Sequence, residues 1–371
     1  MSIATALARG GGAKLDLVRD AVASALAKAG LSYANAVLLF LSPHFARDPQ
    51  PALHEAARGA GCLQVDGGIG AGVFTELDWS LGEPAAAAMV FGGAVQLRRA
   101  RAGDAPILSL ATPNGLALDW LENGAPTLDD NARPATPERF GAVASDSDGQ
   151  GPFKVWSGGR VQVDGRCDLA FDGVTLRVGL AQGAQPLSTP QAVTQVDGND
   201  VLAVGGNLAL GSLASALPRL HREMERLPLH LFMAGVTHGD PAHALEEGRY
   251  QMLPIVSASA DNGAITVPAL LAPGDLLFWA IRQPQAAEQD MRATLARLGK
   301  DRPERPAFGL FFPCLGRGPS FYVGEDRDLA LIAEHWPGLP LIGFYGNGEI
   351  APLNGGNRLL QYSAVLGLGY L

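Results

Sequence analysis

This 371-residue chain reads as an α/β protein on three observations. Short apolar runs of strand length alternate with single stretches of helical periodicity, the pattern of packed strand and helix layers. One order of elements (helix, strand, helix, strand, glycine-rich turn, strand) recurs along the chain. Apolar residues make up 47% and charged residues 18%, which supports large buried cores and excludes a mainly disordered chain. The length sets an expectation of about two to three domains.

Residues 15–97 form a first copy of that order. Leu15 to Ala29 has helical alternation, the run Ala36 to Leu41 is a strand, and Pro51 to Gly59 is a helix. A second strand, Leu63-Gln64-Val65, runs into Asp66-Gly67-Gly68-Ile69-Gly70-Ala71-Gly72, and Ala86 to Leu97 closes the copy. Residues 288–371 repeat it. The helix Glu288 to Leu298 precedes the strand Phe308 to Phe312, and the helix Asp326 to His335 precedes the strand Pro340 to Gly343. That strand runs into Tyr345-Gly346-Asn347-Gly348-Glu349, and Gln361 to Leu368 closes. Gly70 and Gly72 fall on Gly346 and Gly348 with one common offset.

Residues 105–180 give a weaker middle copy. Its strand Ile107 to Leu110 and helix Leu116 to Glu122 lead to the strand Phe140 to Ala144. There Ser145-Asp146-Ser147-Asp148-Gly149 replaces the Gly-x-Gly turn, and the strands Lys154 to Trp156 and Cys167 to Leu180 follow. Leu210 to Leu227 reads as a further helix. The proline-rich stretches Pro126–Pro137 and Arg302–Pro306 read as loops.

The net charge is −9, and the densest basic run is Leu97-Arg98-Arg99-Ala100-Arg101. This argues against a nucleic-acid surface and against docking on anionic lipid. The three cysteines, Cys62, Cys167 and Cys314, are widely spaced and form no CxxC, so they are expected as reduced thiols in a cytosolic protein. The N-terminus lacks the apolar core of a secretory signal, and the longest apolar stretch, Ala85 to Val95, is too short to span a bilayer. A cytoplasmic protein without membrane insertion is the expectation.

Two turns carry the chemistry. Cys314-Leu315-Gly316-Arg317-Gly318 and Gly346-Asn347-Gly348-Glu349 each follow an apolar strand. Open α/β sheets bind ligands at the carboxyl ends of their strands. Arg317 has the fork geometry to clamp a ligand carboxylate, and Glu349 the charge to take an ammonium. Alternatively, the two pair with each other or hold nearby carbonyls. Asn347 sits where it can meet a ligand or simply tolerate a left-handed backbone. Gly70, Gly72, Gly316, Gly318, Gly346 and Gly348 are turn glycines whose N–H groups can also face a ligand. Asp66 and Asp146 are taken as corresponding strand-end carboxylates that line a central pocket or cap turns.

Cys314, beside Arg317, is either a small buried thiol or a reactive one. No Gly-x-Ser-x-Gly elbow, P-loop, dinucleotide fingerprint or HExxH occurs. The seven histidines show no metal-ligand spacing. A haem needs only one axial histidine in an apolar pocket, which sequence leaves open.

These residues resemble the FIST family. Phe311 to Gly318, Pro340 to Pro352 and the closing strand resemble its C domain. Val37 to Ser42, Asp66 to Gly72 and Val174 to Gly198 resemble its N domain. The resemblance runs from about residue 15 to 371 and places an N domain at 15–200 and a C domain at 201–371. It implies two FIST-type halves of pseudo-repeated strand–helix–strand–strand units around a shared cleft. It also implies a stand-alone sensor, not an enzyme, that needs no cofactor. The ligand would be a small polar metabolite such as an amino acid, and the halves would close on it. The signal would pass to a histidine kinase or chemoreceptor in trans. A haem-containing nitric-oxide sensor, a Cys314-dependent enzyme and a ligand-free adaptor are the alternatives.

Overall fold

The fold was taken from a computed structural model that describes residues 2–123, 127–128, 134–135, 137–222, 227–239, 241–300 and 304–371. Contacts divide the chain into two compact units. Unit 1 is Met1–Ala181 with Arg292–Leu371, and unit 2 is Gln182–Met291.

Unit 1 contains three six-stranded sheets, and their strand order shows that the recurring elements are three structural copies. Each copy supplies a lead strand, two parallel strands, a hairpin and a closing strand. In copy 1 these are Ile3–Arg9, Ala36–Leu41 and Val65–Ile69, the hairpin Gly72–Thr75/Trp79–Leu81, and Ala85–Phe91. In copy 2 they are Gln96–Arg99, Ile107–Ala111 and Arg139–Val143, the hairpin Val155–Ser157/Arg160–Val161, and Arg166–Asp172. In copy 3 they are Thr175–Ala181, Phe308–Pro313 and Leu341–Phe344, the hairpin Glu349–Leu353/Gly356–Leu360, and Ala364–Tyr370. Within each sheet the order is lead, closing, first parallel, second parallel. The last two places go to a hairpin from another copy. Copy 1 receives the hairpin of copy 2, copy 2 that of copy 3, and copy 3 that of copy 1. This cyclic exchange ties the three sheets together.

Two expected strands are each two strands. Ala86 to Leu97 breaks after Phe91, where Gly93 takes φ 66°. Cys167 to Leu180 breaks at Gly173, with φ 76°. The second piece of each is the lead strand of the next copy. Both turns need the left-handed region that glycine enters without cost from a side chain.

The parallel strands read as unbroken apolar runs because both of their faces are buried. Ala36, Leu38 and Phe40 face a core shared with Leu108, Leu110, Phe308, Leu310 and Phe312. Val37, Leu39 and Leu41 face the helices Leu15–Ala29 and Gln50–Ala60. Those helices end on Gly30 and Gly61 in the left-handed conformation, closing their last turns. Phe40, Phe312 and Phe344 form an aromatic trio in the shared core, with centroids 6.0, 5.0 and 5.5 Å apart.

One register position is glycine in all three copies. Gly67 lies opposite Leu39, Gly141 opposite Ser109, and Gly343 opposite Phe311. A Cβ on these glycines would stand 1.9, 2.0 and 1.7 Å from the carbonyl oxygen of the opposing residue. Backbone meets backbone there, and no other residue type fits.

Unit 2 holds a sheet ordered Tyr250–Pro254, Phe232–Thr237, Leu276–Arg282, Gln191–Asp197, Asp200–Val204, Ile265–Thr266, Ser257–Ala258. Val193, Leu213, Phe232 and Trp279 lie in its core. The residue-200 boundary falls inside this unit. The helix expected over Leu210 to Leu227 appears as Ala209–Ala216 and Arg219–Arg222. Leu217 precedes Pro218 and is extended, with ψ 144°, as the proline ring demands. Residues 223–226 lie outside the described residues, as do most of Pro126–Pro137 and part of Arg302–Pro306. The expected helix Glu288 to Leu298 runs as Pro284–Gly299. Among the described residues no helix is long and apolar enough to cross a membrane.

Candidate functional site

The carboxyl ends of the second parallel strands meet in a ring of three backbone hydrogen bonds. Ala71 N–H donates to Tyr345 O (3.0 Å), Ser145 N–H to Ile69 O (3.2 Å), and Asn347 N–H to Val143 O (3.2 Å). Each copy bonds the next, so the approximate threefold axis is closed by backbone.

The first parallel strands end at Ser42, Thr112 and Cys314. Each is the N-cap of a short 3-10 turn: Pro43–Phe45, Pro113–Gly115 and Leu315–Arg317. Ser42 Oγ accepts the N–H of Ala85 at 2.9 Å, and Thr112 Oγ1 accepts that of Gly115 at 3.1 Å. A residue able to accept a hydrogen bond is thus placed at the same register position three times.

A cavity of about 320 Å³ lies off the axis, where copies 2 and 3 meet. Ser145–Gly149, Cys314–Gly316, Asn347 and Gln361–Tyr362 line it. Its position follows from an insertion. Ile69, Val143 and Tyr345 donate their N–H groups to Lys154, Gly348 and Gly72. Copies 1 and 3 reach that acceptor directly after Ala71 and Asn347, whereas copy 2 inserts residues 146–153 after Ser145. The inserted loop forms one wall. Asp146 braces it by accepting the N–H groups of Gly149 and Gly151, the latter at 2.7 Å. Tyr362, also in the lining, is among the described residues one of three non-glycine residues with positive φ, at 59°. Such strain persists only where surrounding contacts impose it, and it is common at ligand sites.

Glu349 sits behind the Cys314 wall and is fully buried. Its carboxyl accepts from Ser363 N–H (3.2 Å), Ser363 Oγ (2.8 Å) and Gly348 N–H (3.3 Å), and it hydrogen-bonds the Cys314 thiol. Burial pushes its pKa up to about 8, against the pull of those donors. The same hairpin position is Val73 in copy 1 and Val155 in copy 2. An acid stands in one copy where the other two bury valine.

Arg317 does not line the cavity. It is 1% exposed, and its Nε and Nη2 bond Asp328 Oδ2 and Oδ1 at 2.7 and 3.1 Å. Its Nη1 donates to Ala181 O at 3.0 Å, and Tyr322 OH donates to Asp328 at 3.0 Å. The carboxylate that Arg317 pairs with is therefore Asp328, not Glu349. Beside it Asp326 caps the helix Arg327–His335 through Leu329 N–H and accepts Tyr345 OH at 2.6 Å. Burial and the charge of Asp328 push Asp326 up to about 6.

Of the candidates named from sequence, Cys314, Gly316, Asn347 and Asp146 come together in the lining. Gly318, Gly346 and Gly348 are close-packing positions beside it: a Cβ would stand 3.2 Å from Tyr345 Cδ1, 3.1 Å from Ala142 Cβ and 2.9 Å from Leu359 Cδ1. Gly70 and Gly72 belong to the junction of copies 1 and 3, where a Cβ would come within 2.4 Å of Phe344 Cβ and of Ser80 O. Asp66 is not the counterpart of Asp146. It lies inside Val65–Ile69, buried, bonded to Gln64 Nε2 (2.7 Å) and Gly158 N–H (3.0 Å). Phe140 and Ile342 occupy its register position in the other copies.

Ser145, Ser147, Asp148, Leu315, Gln361 and Tyr362 were not singled out from sequence, nor were Asp326 and Asp328. A signal existed for Asp326, which stands at the N-cap of a helical run. None existed for Tyr362, since left-handed backbone at a tyrosine has no sequence mark. Among the described residues no group of His, Cys, Asp or Glu could hold a metal ion. Among the described residues no histidine lines the cavity.

Comparison with known sequences adds one decisive fact. The FIST N domain matches residues 35–207, and the FIST C domain matches residues 209–352. The chain belongs to the FIST family. FIST domains are associated with signal-transduction sensing. The seam between the two domain matches lies within unit 2. An uncharacterised protein of Mycobacterium bovis is 27% identical over 228 residues, 62% of this chain and 59% of its own length. An uncharacterised protein of Mycobacterium tuberculosis is 26% identical over 228 residues, 62% of this chain and 60% of its own length. F-box only protein 22 of Pongo abelii is 36% identical over 67 residues, 18% of this chain and 15% of that protein. The chain thus spans about three fifths of the length of these mycobacterial relatives.

Proposed function

We propose that this FIST protein is a sensor. It binds a small polar metabolite, an amino acid or a similar compound, in the cavity at the junction of copies 2 and 3. It passes its state to a separate partner such as a histidine kinase or chemoreceptor, and acts by binding rather than catalysis. The observation that carries the reading is the cavity itself, a polar recess at the carboxyl ends of parallel strands, where α/β sheets place ligands.

A route for the signal supports it. Gly316 and Asn347 line the cavity from two turns. The neighbouring Arg317 and Tyr345 both reach the first turn of the helix Arg327–His335, through Asp328 and Asp326. A ligand that favours one arrangement of these turns biases that helix through buried bonds. A thermal-shift screen of amino acids and related metabolites tests the reading, with Asn347→Leu as control. A concentration-dependent rise in melting temperature, lost in the variant, is expected. No shift with any compound, together with a stable protein partner, moves the adaptor reading ahead.

A further inference from the structure

We propose that the cavity selects a small organic cation, an amine or guanidine without a free carboxylate. This narrows the sensor reading and rests on it. Two of the lining residues, Asp146 and Asp148, are carboxylates, and none is lysine, arginine or histidine. Asp146 is held by the N–H groups of its own loop and adds fixed negative charge. Asp148 is exposed, and among the described residues its carboxylate has no hydrogen bond or ion pair. It is available to a ligand.

The one cation beside the lining in sequence, Arg317, is turned onto Asp328 and buried with it. With Asp326 beside that pair, the group carries two carboxyls for one guanidinium and offers no surplus positive charge to the cavity. Neutral side chains complete the lining, among them Ser145, Asn347 and Gln361, each with an oxygen that can accept from a ligand N–H.

An α-amino acid brings an ammonium that this lining can satisfy and a carboxylate that it cannot. The carboxylate would be desolvated near two like charges with no cation to receive it. That arrangement works against a ligand as effectively as a clash does. An amine or guanidine meets only acceptors, and its contact with Asp148 is a charge-assisted hydrogen bond. The volume, about 320 Å³, sits at the small end of ligand pockets, which run from roughly 300 to 1,000 Å³.

Isothermal titration of the full chain with agmatine and with L-arginine isolates the carboxylate, because the two probes differ by that group alone. Agmatine is expected to bind at least about tenfold more tightly, the order of one charge-assisted hydrogen bond. Asp148→Asn is expected to weaken agmatine by about tenfold and to leave L-arginine unchanged or slightly improved. L-arginine binding as tightly as agmatine, or agmatine indifferent to Asp148→Asn, overturns the proposal and leaves the sensor reading standing. If neither probe nor any of the common amino acids binds, the sensor reading falls and the proposal with it.

Discussion

Two junctions of unit 1 start from the same elements and end differently. Where copies 1 and 3 meet, Gly70-Ala71-Gly72 turns tightly against Phe344 and the Ser80 carbonyl, and the space is filled. Where copies 2 and 3 meet, the same ring of backbone hydrogen bonds is kept, but residues 146–153 loop outward and leave a polar cavity. Two substitutions accompany the loop. Cys314 stands where Ser42 and Thr112 stand, and Glu349 where Val73 and Val155 stand. In copy 1 the hydroxyl of Ser42 takes the N–H of Ala85. In copy 3 Glu349 takes the corresponding N–H, from Ser363, and frees the thiol from that duty. The cavity thus accompanies a change at this junction, while the backbone plan is kept.

The comparison is broken most severely at the feature all copies share. Gly343→Ala, Gly67→Ala and Gly141→Ala each drive a Cβ into an opposing carbonyl. Each is expected to lose about 4 kcal/mol or more in urea unfolding, the range reserved for core and backbone clashes. A loss at one position only would show that the copies are not equivalent.

Next in size, Asp328→Ala leaves the Arg317 guanidinium buried without its partner, at a cost of roughly 3–5 kcal/mol. Asp148→Asn, on the exposed loop, is expected within about 0.5 kcal/mol of the parent.

A smaller effect separates Glu349 from its valine counterparts. Its native pKa, about 8, is above its ordinary value of 4.5, so the folded state holds a proton that the unfolded state has released. Stability therefore falls as pH rises between those values. Glu349→Gln is expected to flatten that fall and to be the more stable protein at pH 8.5. Asp326, raised from 3.8 to about 6, adds a shallower decline at lower pH that should survive in the variant. Unfolding curves collected from pH 4 to 9 show both, and an unchanged slope in Glu349→Gln contradicts the assignment.

Smallest is the ordering of the thiols. Cys62 is partly exposed, whereas Cys167 and Cys314 are buried. Iodoacetamide followed by mass spectrometry is expected to mark Cys62 first. Rapid labelling of Cys314 alone would revive the enzyme reading.

The threefold plan was legible because two of its causes leave marks in sequence. Strands buried on both faces read as apolar runs, and tight packing at the strand-end turns demands glycine, hence the match of Gly70 and Gly72 to Gly346 and Gly348. What stayed hidden is set by contacts between distant segments. The exchange of hairpins is a matter of pairing between copies, and Arg317 finds Asp328 only once the loop after Gly318 folds back. Asp146 looked like the partner of Asp66 because both stand near strand ends. Only the ladder register shows that Phe140 is the true counterpart.

Hydrogen exchange with and without saturating agmatine tests the central claim, that the junction of copies 2 and 3 is the site, most directly. The account predicts added protection in Ser145–Gly149 and Leu315–Gly316, extending to the first turn of Arg327–His335, with Gly70–Gly72 unchanged. Protection confined to Gly70–Gly72, or spread over unit 2 alone, would contradict it.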